Sequence, residues 1–312
     1  MAFLTADHST YFTFTHKEGR ERFDRVLRRH STLDPLVTGS VTIVIPALNE
    51  AGNLQKLLER ICIAFKTLSL TLPVLVVDDG SVDKSPEILA RLAEHYPFLT
   101  VVRHPRRSGV AAVWQTALAH VKTDWIFWGQ ADLESDPATD IPTLLQAYCP
   151  NVVAIAGWRQ RRGDGKTTAS QVANCACRWV FGLQIHDMNW IKLVRRDVLM
   201  GLPIQLITHR FLLAVLAGLG HRIGEAKTPW HPRFSGTSKF GRKRLVTSAK
   251  DFTKVVLWFY LGRPLMYIPQ CIAKAMAVLK YDFIGQTLAS GLFNRAAHPV
   301  NQQQLKNHYP KL

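Results

Sequence analysis

The sequence predicts an α/β fold with a mainly parallel central sheet and helices on both faces. Short apolar runs alternate along the chain with longer segments in which apolar residues recur at helical spacing. Short apolar runs are typical of buried strands, and a period of about 3.6 residues is typical of amphipathic helices. The connections between these segments are short, and strands that alternate with helices form parallel sheets.

Each element follows from its own stretch of sequence. The predicted strands lie at residues 41–46, 72–77, 99–103, 125–128, 152–156, 190–194 and 222–226. Helices are predicted around Leu54, Leu57, Leu58 and Ile61, around Ile88, Leu89 and Leu92, and at 109–121, 141–148, 168–181 and 211–219. Gly182 and Gly220 follow the last two, and glycine is a typical residue just after a helix end.

Composition divides the chain and limits its function classes. Residues 1–40 are predicted to be an N-terminal extension, 41–226 an α/β domain, 227–244 a mobile basic loop, and 245–312 amphipathic helices and a tail. The 312 residues carry a net charge of +16, which favours anionic partners. The basic residues cluster in loops without an aromatic–basic recognition motif, so nucleic-acid binding is not expected. The five cysteines form no C-x-x-C pair, which argues against a disulfide framework or a zinc site.

Oxygen-bearing side chains follow the predicted strand 125–128. Gln130, Asp132 and Glu134 alternate just beyond its end, in D-W-I-F-W-G-Q-A-D-L-E-S-D-P. Ligands bind beyond the carboxyl ends of strands in open α/β sheets, and hard cations prefer oxygen ligands shared with phosphates. The pattern therefore indicates a metal–diphosphate site. The alternative is a polar turn whose Asp-Pro step caps the next helix.

Several motifs in order resemble the family 2 inverting glycosyltransferases of GT-A fold. They are P-A-L-N-E at 46–50, V-V-D-D-G-S at 76–81 and the D-x-D-like site at 130–132. The segment 187–199 resembles that family's acceptor side. Residues 209–212, 220–226 and 231–240 resemble its polyprenyl-phosphate branch, which includes dolichol-phosphate mannose synthase-like enzymes. The resemblance covers residues 40–244 and implies transfer of a sugar, with inversion, from a nucleotide-diphosphate sugar to a polyprenyl phosphate, assisted by Mg²⁺ or Mn²⁺.

The resemblance assigns donor-side residues. Asp79 is expected near the base or ribose with Glu50, because carboxylates accept hydrogen bonds from hydroxyl and N–H groups. The remaining residues assigned to nucleotide-sugar binding are Pro46, Leu48, Gln130, Arg233 and Lys239. Arg233 and Lys239, in R-x-x-G-x-S-K, suit a loop that closes over the diphosphate. The alternatives are a tight turn at 78–81 and a solvated basic loop at 233–239.

The metal is assigned to Asp132, with Gln130 and Glu134 beside it. Gln130 stands where the family usually has the first Asp of D-x-D, and Glu134 stands where mannose synthase-type relatives often have Gln. One acidic charge has thus moved rather than vanished. A catalytically weak or inactive nucleotide-sugar-binding subunit remains the alternative.

The acceptor side is predicted to bind an anion. Thr208-His209-Arg210, at the matching helix start, contains no carboxylate to serve as a base. A lipid phosphate needs no base but needs cations, for which the candidates are Arg159, Arg178, Lys192 and Arg196. Lys192 occupies the family's basic position, and Asp187 is expected to orient it. His209 remains an alternative base for a hydroxyl acceptor, although such a histidine is more often structural.

The C-terminal segment is predicted to reach the lipid. Aromatic residues and lysines alternate with breaks in 245–293, which favours helices lying on an anionic membrane surface rather than crossing it. Peripheral attachment to the cytoplasmic face is therefore expected. The alternative is that these helices pack on the catalytic core or on a second subunit. The sugar, the nucleotide and the oligomeric state stay open.

Overall fold

A computed structural model describes residues 10–11, 40–160, 167–204, 210–235 and 243–263, without the side chains of 10–11, 167–170 and 243–246. The strands are β1 (Thr10–Tyr11), β2 (Val41–Ala47), β3 (Val74–Asp78), β4 (Leu99–Arg103), β5 (Trp125–Trp128), β6 (Ala154–Gln160), β7 (Lys192–Arg195) and β8 (Ile223–Pro229). The α-helices are α1 (Ala51–Leu68), α2 (Ser85–His95), α3 (Val110–His120), α4 (Pro137–Gln146), α5 (Thr167–Phe181), α6 (Arg196–Met200), α7 (Leu212–Gly218) and α8 (Lys243–Leu257), and a π-helix follows at Trp258–Gly262.

The strands form one sheet in the order β1-β8-β6-β7-β5-β2-β3-β4. β2 pairs in parallel with β3 and β5, β3 with β4, and β6 with β8. β7 runs antiparallel between β5 and β6, and β1 runs antiparallel to β8. The predicted mainly parallel sheet is confirmed. Because β7 runs the other way, its first residue lies at the edge where β2, β3, β5, β6 and β8 end.

Helices cover both faces of the sheet. On one face, alternate residues of the strands pack against α1 and α4 in a single hydrophobic core. The core includes Ile43 and Ile45 of β2, Val74 and Val76 of β3, Leu54 and Leu57 of α1, and Ile141 and Leu144 of α4. On the other face, Trp128 of β5 stacks on Trp114 of α3, with ring centroids 3.7 Å apart and ring planes 7° from parallel. Both rings are buried. The period-2 alternation of the strands therefore divides the apolar residues between two helical layers.

Two predicted domain boundaries are wrong, and one helix start differs. β8 continues past residue 226 to Pro229, because β6 offers it a parallel partner as far as Gln160. Thr10–Tyr11 pairs with β8, so part of the predicted extension belongs to the sheet. α4 starts at Pro137 rather than at 141, because the Asp136 side chain caps it by accepting from the backbone N–H of Ala138.

The chain divides into two compact units, Met1–Val256 and Leu257–Leu312. In the first unit, the ring of Phe252 on α8 contacts those of Phe181 and Phe211, and Val255 is fully buried. This part of α8 therefore packs on the α/β core. Residues 264–312 lie outside the described range.

No described helix combines the length and the apolar character needed to cross a membrane.

Asp140 is buried without a partner, which makes stability depend on pH. Neither of its carboxylate oxygens has a hydrogen-bond partner, and burial, reinforced by the charge of Asp136, raises its pKa to about 8. An unfolded aspartate ionises near pH 4. Between these values the folded state therefore binds one more proton, so the free energy of unfolding falls as pH rises.

Asp140→Asn is expected to remove this dependence, because the amide cannot ionise. From about pH 5 to about pH 8, the stability of the variant relative to the wild type should rise by roughly 2–4 kcal/mol in urea denaturation, since each pH unit between the two pKa values is worth ~1.4 kcal/mol. Glu94→Gln, at an exposed position of α2, is the control and should follow the wild type at both pH values. A difference between Asp140→Asn and the wild type that is equal at both pH values would contradict the assignment.

Candidate active site

Loops from neighbouring strands meet at the edge where the parallel strands end. The loop after β2 is hydrogen-bonded to the loop after β3. The backbone N–H groups of Asn49 and Glu50 donate to the hydroxyls of Ser81 (2.8 Å) and Ser85 (2.9 Å), and Val82 N–H donates to the side-chain oxygen of Asn49 (2.9 Å). Asn49 has φ 52°, a left-handed conformation that asparagine tolerates better than most residues. These bonds place the two predicted donor loops side by side.

Asp79 organises a third loop at this edge. Its carboxylate is 5% exposed and accepts hydrogen bonds from the backbone N–H groups of Ser108 and Gly109, both at 2.8 Å. His104 Nδ1 lies 2.9 Å from the same carboxylate. Gly80 has φ +74°, and a Cβ there would lie 2.4 Å from the backbone of Arg106. Asp79, predicted to bind the nucleotide, therefore also holds the 104–109 loop against β3.

The other predicted donor residues lie on the same loops. Pro46 pairs with Val77 in the β2–β3 ladder, and Pro46 and Leu48 are half-buried. Glu50 is also half-buried, and its Oε2 accepts a hydrogen bond of 2.6 Å from the Asn53 side chain. Glu50 therefore lies in the loop after β2, which is hydrogen-bonded to the loop that follows Asp79.

Two of the acidic residues after β5, Asp132 and Glu134, share one arginine. Arg233 Nη2 lies 2.7 Å from Asp132 Oδ2, and Arg233 Nε lies 2.7 Å from Glu134 Oε1. All three side chains are 15–18% exposed. The structure therefore brings together three residues predicted for the metal–diphosphate site, with the arginine bound to carboxylates.

Burial dominates the electrostatics of this cluster. It raises the pKa of Asp132 above the usual range, against the attraction of Arg233, and Glu134 adds to the rise. Burial also opposes the charged form of Arg233, but the hydrogen bond to Glu134 and the charges of Asp132, Glu134 and Glu50 raise its pKa. The charge of Glu50 thus acts on the same arginine and links the β2 loop to the acidic pair.

Arg159 and Asp187, both predicted for the acceptor side, form a buried ion pair. Arg159, near the end of β6, donates from Nε (2.5 Å) and Nη2 (3.0 Å) to the two oxygens of Asp187. Its guanidinium lies over the Trp190 ring, 4.5 Å from the centroid. Lys192 is 1% exposed, and its Nζ donates to the Trp190 carbonyl at 2.8 Å. Burial lowers the pKa of Lys192 to about 8, with Asp187 opposing the shift and Arg159 adding to it.

Several acceptor-side predictions need correction. Asp187 binds Arg159 rather than orienting Lys192 by a hydrogen bond, and Lys192 has too little accessible surface in this conformation to touch a ligand. Arg196 follows β7 at the opposite edge of the sheet, where its Nη2 donates to the Leu118 carbonyl, because β7 is antiparallel to its neighbours. Arg178 is exposed on α5. His209 and Lys239 lie outside the described residues.

An aromatic cluster near Arg159, on and beside β6 and β8, was not predicted from the sequence. The rings of Trp158 and His186 stack with centroids 3.8 Å apart, and Lys227 Nζ lies 5.5 Å from the Trp158 centroid. Glu225 accepts from His186 Nδ1 at 2.7 Å and from the backbone N–H of Asp187 at 3.0 Å. A possible signal was that Trp158 and Lys227 come just after two predicted strands. Their pairing depends on the β6–β8 register, which the sequence does not reveal.

The residues at the acidic pair fit a divalent cation. Asp132 and Glu134 supply carboxylate oxygens, and the side-chain oxygen of Gln130 is buried without a hydrogen-bond partner. Hard cations take such oxygen ligands. Among the described residues, no group of three or more His, Cys, Asp or Glu side chains could hold a metal ion, so a ligand set here must include the amide of Gln130 or the donor phosphates.

Comparison with known proteins identifies the family. The sequence profile of glycosyl transferase family 2 matches residues 42–198. The chain belongs to glycosyl transferase family 2. The matched region contains both donor loops, the acidic pair and the Arg159–Asp187 pair, while Arg233 lies beyond it. The predicted membership of this family is therefore confirmed.

Individual relatives of this glycosyltransferase are more distant. It is 28% identical over 243 residues to the dodecaprenyl-phosphate galacturonate synthase of Rhizobium johnstonii, and the aligned region covers 75% of this chain and 71% of the relative. It is 25% identical over 263 residues to the undecaprenyl-phosphate 4-deoxy-4-formamido-L-arabinose transferase of Salmonella choleraesuis, and the aligned region covers 81% of this chain and 80% of the relative.

A solved structure supports the fold. Glucosyl-3-phosphoglycerate synthase from Mycobacterium tuberculosis, in complex with Mn²⁺ and uridine-diphosphate-glucose, superposes with a TM-score of 0.52 at 17% identity. The match covers 70% of this chain and 78% of that one. The predicted GT-A arrangement is therefore confirmed.

Asp79→Ala is expected to destabilise the protein, because the N–H groups of Ser108 and Gly109 would lose their acceptor. The expected loss is about 1–3 kcal/mol in the free energy of unfolding, measured by urea denaturation. Asp79→Asn keeps one acceptor oxygen and should lose less. Denaturation midpoints equal to the wild type for both variants would mean that the 104–109 loop does not depend on Asp79.

Proposed function

We propose that this glycosyltransferase moves a sugar from a nucleotide-diphosphate sugar to a polyprenyl phosphate, with inversion and with the help of Mg²⁺ or Mn²⁺. The observation that carries the proposal is the convergence of two clusters at one sheet edge. One holds carboxylates suited to a metal–diphosphate, Asp132 and Glu134. The other holds cations suited to an anionic acceptor, Arg159 and Lys192. The names of the two relatives, which include dodecaprenyl-phosphate and undecaprenyl-phosphate, support this acceptor class.

The donor side supplies binding and charge neutralisation. Glu50 and the Asp79 loop hold the base or ribose, and Pro46 and Leu48 shape the pocket. Asp132, Glu134 and Gln130 would hold the divalent cation, which when bound neutralises negative charge on the diphosphate leaving group. The Mn²⁺ and uridine-diphosphate-glucose bound to the mycobacterial synthase support such a pairing.

The acceptor side supplies positioning rather than a base. Both oxygens of Asp187 accept from Arg159, and Glu225 is occupied by His186 and by the Asp187 backbone. These carboxylates are therefore committed to internal bonds. A phosphate acceptor is already ionised, so it needs only to be held in line with the anomeric carbon. We assign Arg159 to hold it; its side chain is 7% exposed and bonds Asp187 through Nε and Nη2, so the guanidinium would be shared between Asp187 and the phosphate. Buried Lys192 contributes positive charge without touching the acceptor.

A nucleotide-sugar-binding subunit with little or no activity is the second candidate. Gln130 removes one charge from the D-x-D position, and Arg233 already binds the two remaining carboxylates. A subunit of this kind would bind the donor without transferring its sugar. A hydroxyl-acceptor transferase that uses His209 as base is the other alternative.

The test is a mass-spectrometric transfer assay of the full chain with UDP- and GDP-sugars, a short polyprenyl phosphate and the matching polyprenol. The proposal predicts a glycosyl phospholipid that requires added Mg²⁺ or Mn²⁺ and is absent with the polyprenol. Preferential use of the polyprenol, of a protein or of a free sugar would contradict it. Donor binding without any transfer would favour the inactive subunit.

Two variants sharpen the assay. Asp132→Ala should abolish metal-dependent transfer, and full turnover with all metal chelated would contradict its role. Arg159→Ala should raise the acceptor KM roughly tenfold to a hundredfold, because a charge-assisted contact to an anion is lost. Arg195→Ala is the matched control, since Arg195 lies at the opposite sheet edge, 40% exposed and paired with Asp197.

We further propose peripheral attachment to the cytoplasmic face of a membrane through the predicted segment 245–293. In the described part of its second unit, Leu257, Tyr260 and Leu261 are 51–57% exposed. Exposed apolar and aromatic side chains beside basic residues suit the headgroup region, where rings lie at the interface. The site would then meet a phosphate carried by a lipid.

A vesicle flotation assay checks this attachment. The full chain should float with anionic vesicles, and less so at high salt, because salt screens the basic contribution. Replacing Leu257, Tyr260 and Leu261 together by serine should reduce flotation. Ile63→Ser, at a 42% exposed position of α1, is the control. Equal flotation of all three proteins would mean that the segment is not the anchor.

A further inference from the structure

The guanidinium of Arg233 neutralises the carboxylates of both Asp132 and Glu134. It bonds Asp132 through Nη2 and Glu134 through Nε, so different nitrogens of its planar fork serve different carboxylates. Two mostly buried carboxylates at this spacing repel each other and lose hydration, and a paired cation offsets both costs. The pair therefore already has a resident cation in the donor-free protein.

The same cluster remains incomplete with Arg233 in place. The side-chain oxygen of Gln130, two residues before Asp132, is buried and has no hydrogen-bond partner. Buried oxygens are nearly always partnered, so an orphan of this kind points to a missing ligand. The Arg233 guanidinium does not satisfy it, whereas a divalent cation is a suitable partner for an amide oxygen.

The segment that carries Arg233 is seated next to the donor loops. His231 N–H donates to the Glu134 carbonyl at 2.9 Å, and the Asn53 side chain donates to the Ser235 carbonyl over a long 3.4 Å. Gly52 at the start of α1 allows this approach, because a Cβ there would lie 2.6 Å from the Ser235 hydroxyl. Residues 231–235 therefore span from the acidic pair to the start of α1, where a long hydrogen bond holds Ser235.

We propose that Arg233 is a resident cation that holds Asp132 and Glu134 while the donor is absent and yields them to the divalent cation when the metal–nucleotide binds. The inference rests on the proposed function, since it assumes a metal–diphosphate at this edge. Two cations on the same mostly buried oxygens repel strongly, so arginine and metal exclude each other there. The displaced guanidinium, with its fork of N–H donors, is then free to bind the diphosphate.

The exchange makes Arg233 act in opposite directions on two measurable affinities. For Mn²⁺ alone, Arg233 is a competitor, so wild-type affinity should be weak. For Mn²⁺ together with UDP or GDP, Arg233 is a ligand of the diphosphate and should strengthen binding. A residue that merely supports the fold would move both affinities in the same direction.

The experiment titrates Mn²⁺ into the full chain, alone and with UDP or GDP, and reads free Mn²⁺ by electron paramagnetic resonance. Arg233→Ala should tighten Mn²⁺ alone by roughly tenfold to a hundredfold and weaken the Mn²⁺–nucleotide complex by a similar factor. Arg233→Lys keeps the charge but can bond only one carboxylate well, so both of its affinities should lie between those of the wild type and those of Arg233→Ala. This variant also provides the test if Arg233→Ala does not fold.

Arg60→Ala is the matched control. Arg60 also forms a two-bonded pair with an aspartate after β5, but that aspartate is Asp136, which caps α4. Its removal should leave both affinities as in the wild type. If Arg233→Ala binds Mn²⁺ alone no more tightly than the wild type, Arg233 does not compete for the site and the inference falls.

The titration and the transfer assay fail separately. The titration needs neither acceptor nor turnover, so opposite shifts without any sugar transfer would keep the exchange and reject the proposed function. Transfer to polyprenyl phosphate with unchanged Mn²⁺ affinities in Arg233→Ala would keep the function and reject the exchange.

Discussion

Parallel pairing of β2 with both β3 and β5 is the constraint on which the rest of the site depends. It makes three neighbouring strands end together, so the loops that carry Glu50, Asp79 and Asp132 start from one edge. The antiparallel β7 then brings its first residue, Lys192, to the same edge beside Trp128. A shift in any of these registers would separate the donor loops from the acidic pair, because side chains alternate between the faces of a strand.

The buried carboxylates are stabilised in different ways. The kind of partner separates those that hold loops in place from those that we assign to the metal site. Asp79 is satisfied by backbone N–H groups and Asp187 by Arg159, so both stabilise local geometry. Asp132 and Glu134 depend on Arg233, which lies on a segment beyond β8 and which, in our proposal, a divalent metal replaces. Asp140 has no partner and is kept neutral by its raised pKa. Burial without compensation is costly for a charge, so each carboxylate needs one of these solutions.

Strands with strong local signals were predicted well, and elements that depend on partners were not. The runs at 99–103 and 125–128 match β4 and β5, because a short run of β-branched or aromatic residues between polar segments is a local signal for a strand. The end of β8 was misjudged, since residues such as Lys227 and Thr228 become strand only through pairing with β6. Arg196 was assigned to the acceptor side because the sequence does not reveal that β7 runs antiparallel.

The sequence alone determined the fold class, the family and the chemistry-bearing residues of the donor edge, because local periodicity and strand-end motifs are properties of neighbouring residues. Tertiary structure alone decided which groups pair. It joined Arg233 to Asp132 and Glu134 across about a hundred residues, gave Asp187 to Arg159, and buried Lys192. Ion pairs and burial depend on distances through space, and those distances are set by sheet order and strand direction, which no local pattern encodes.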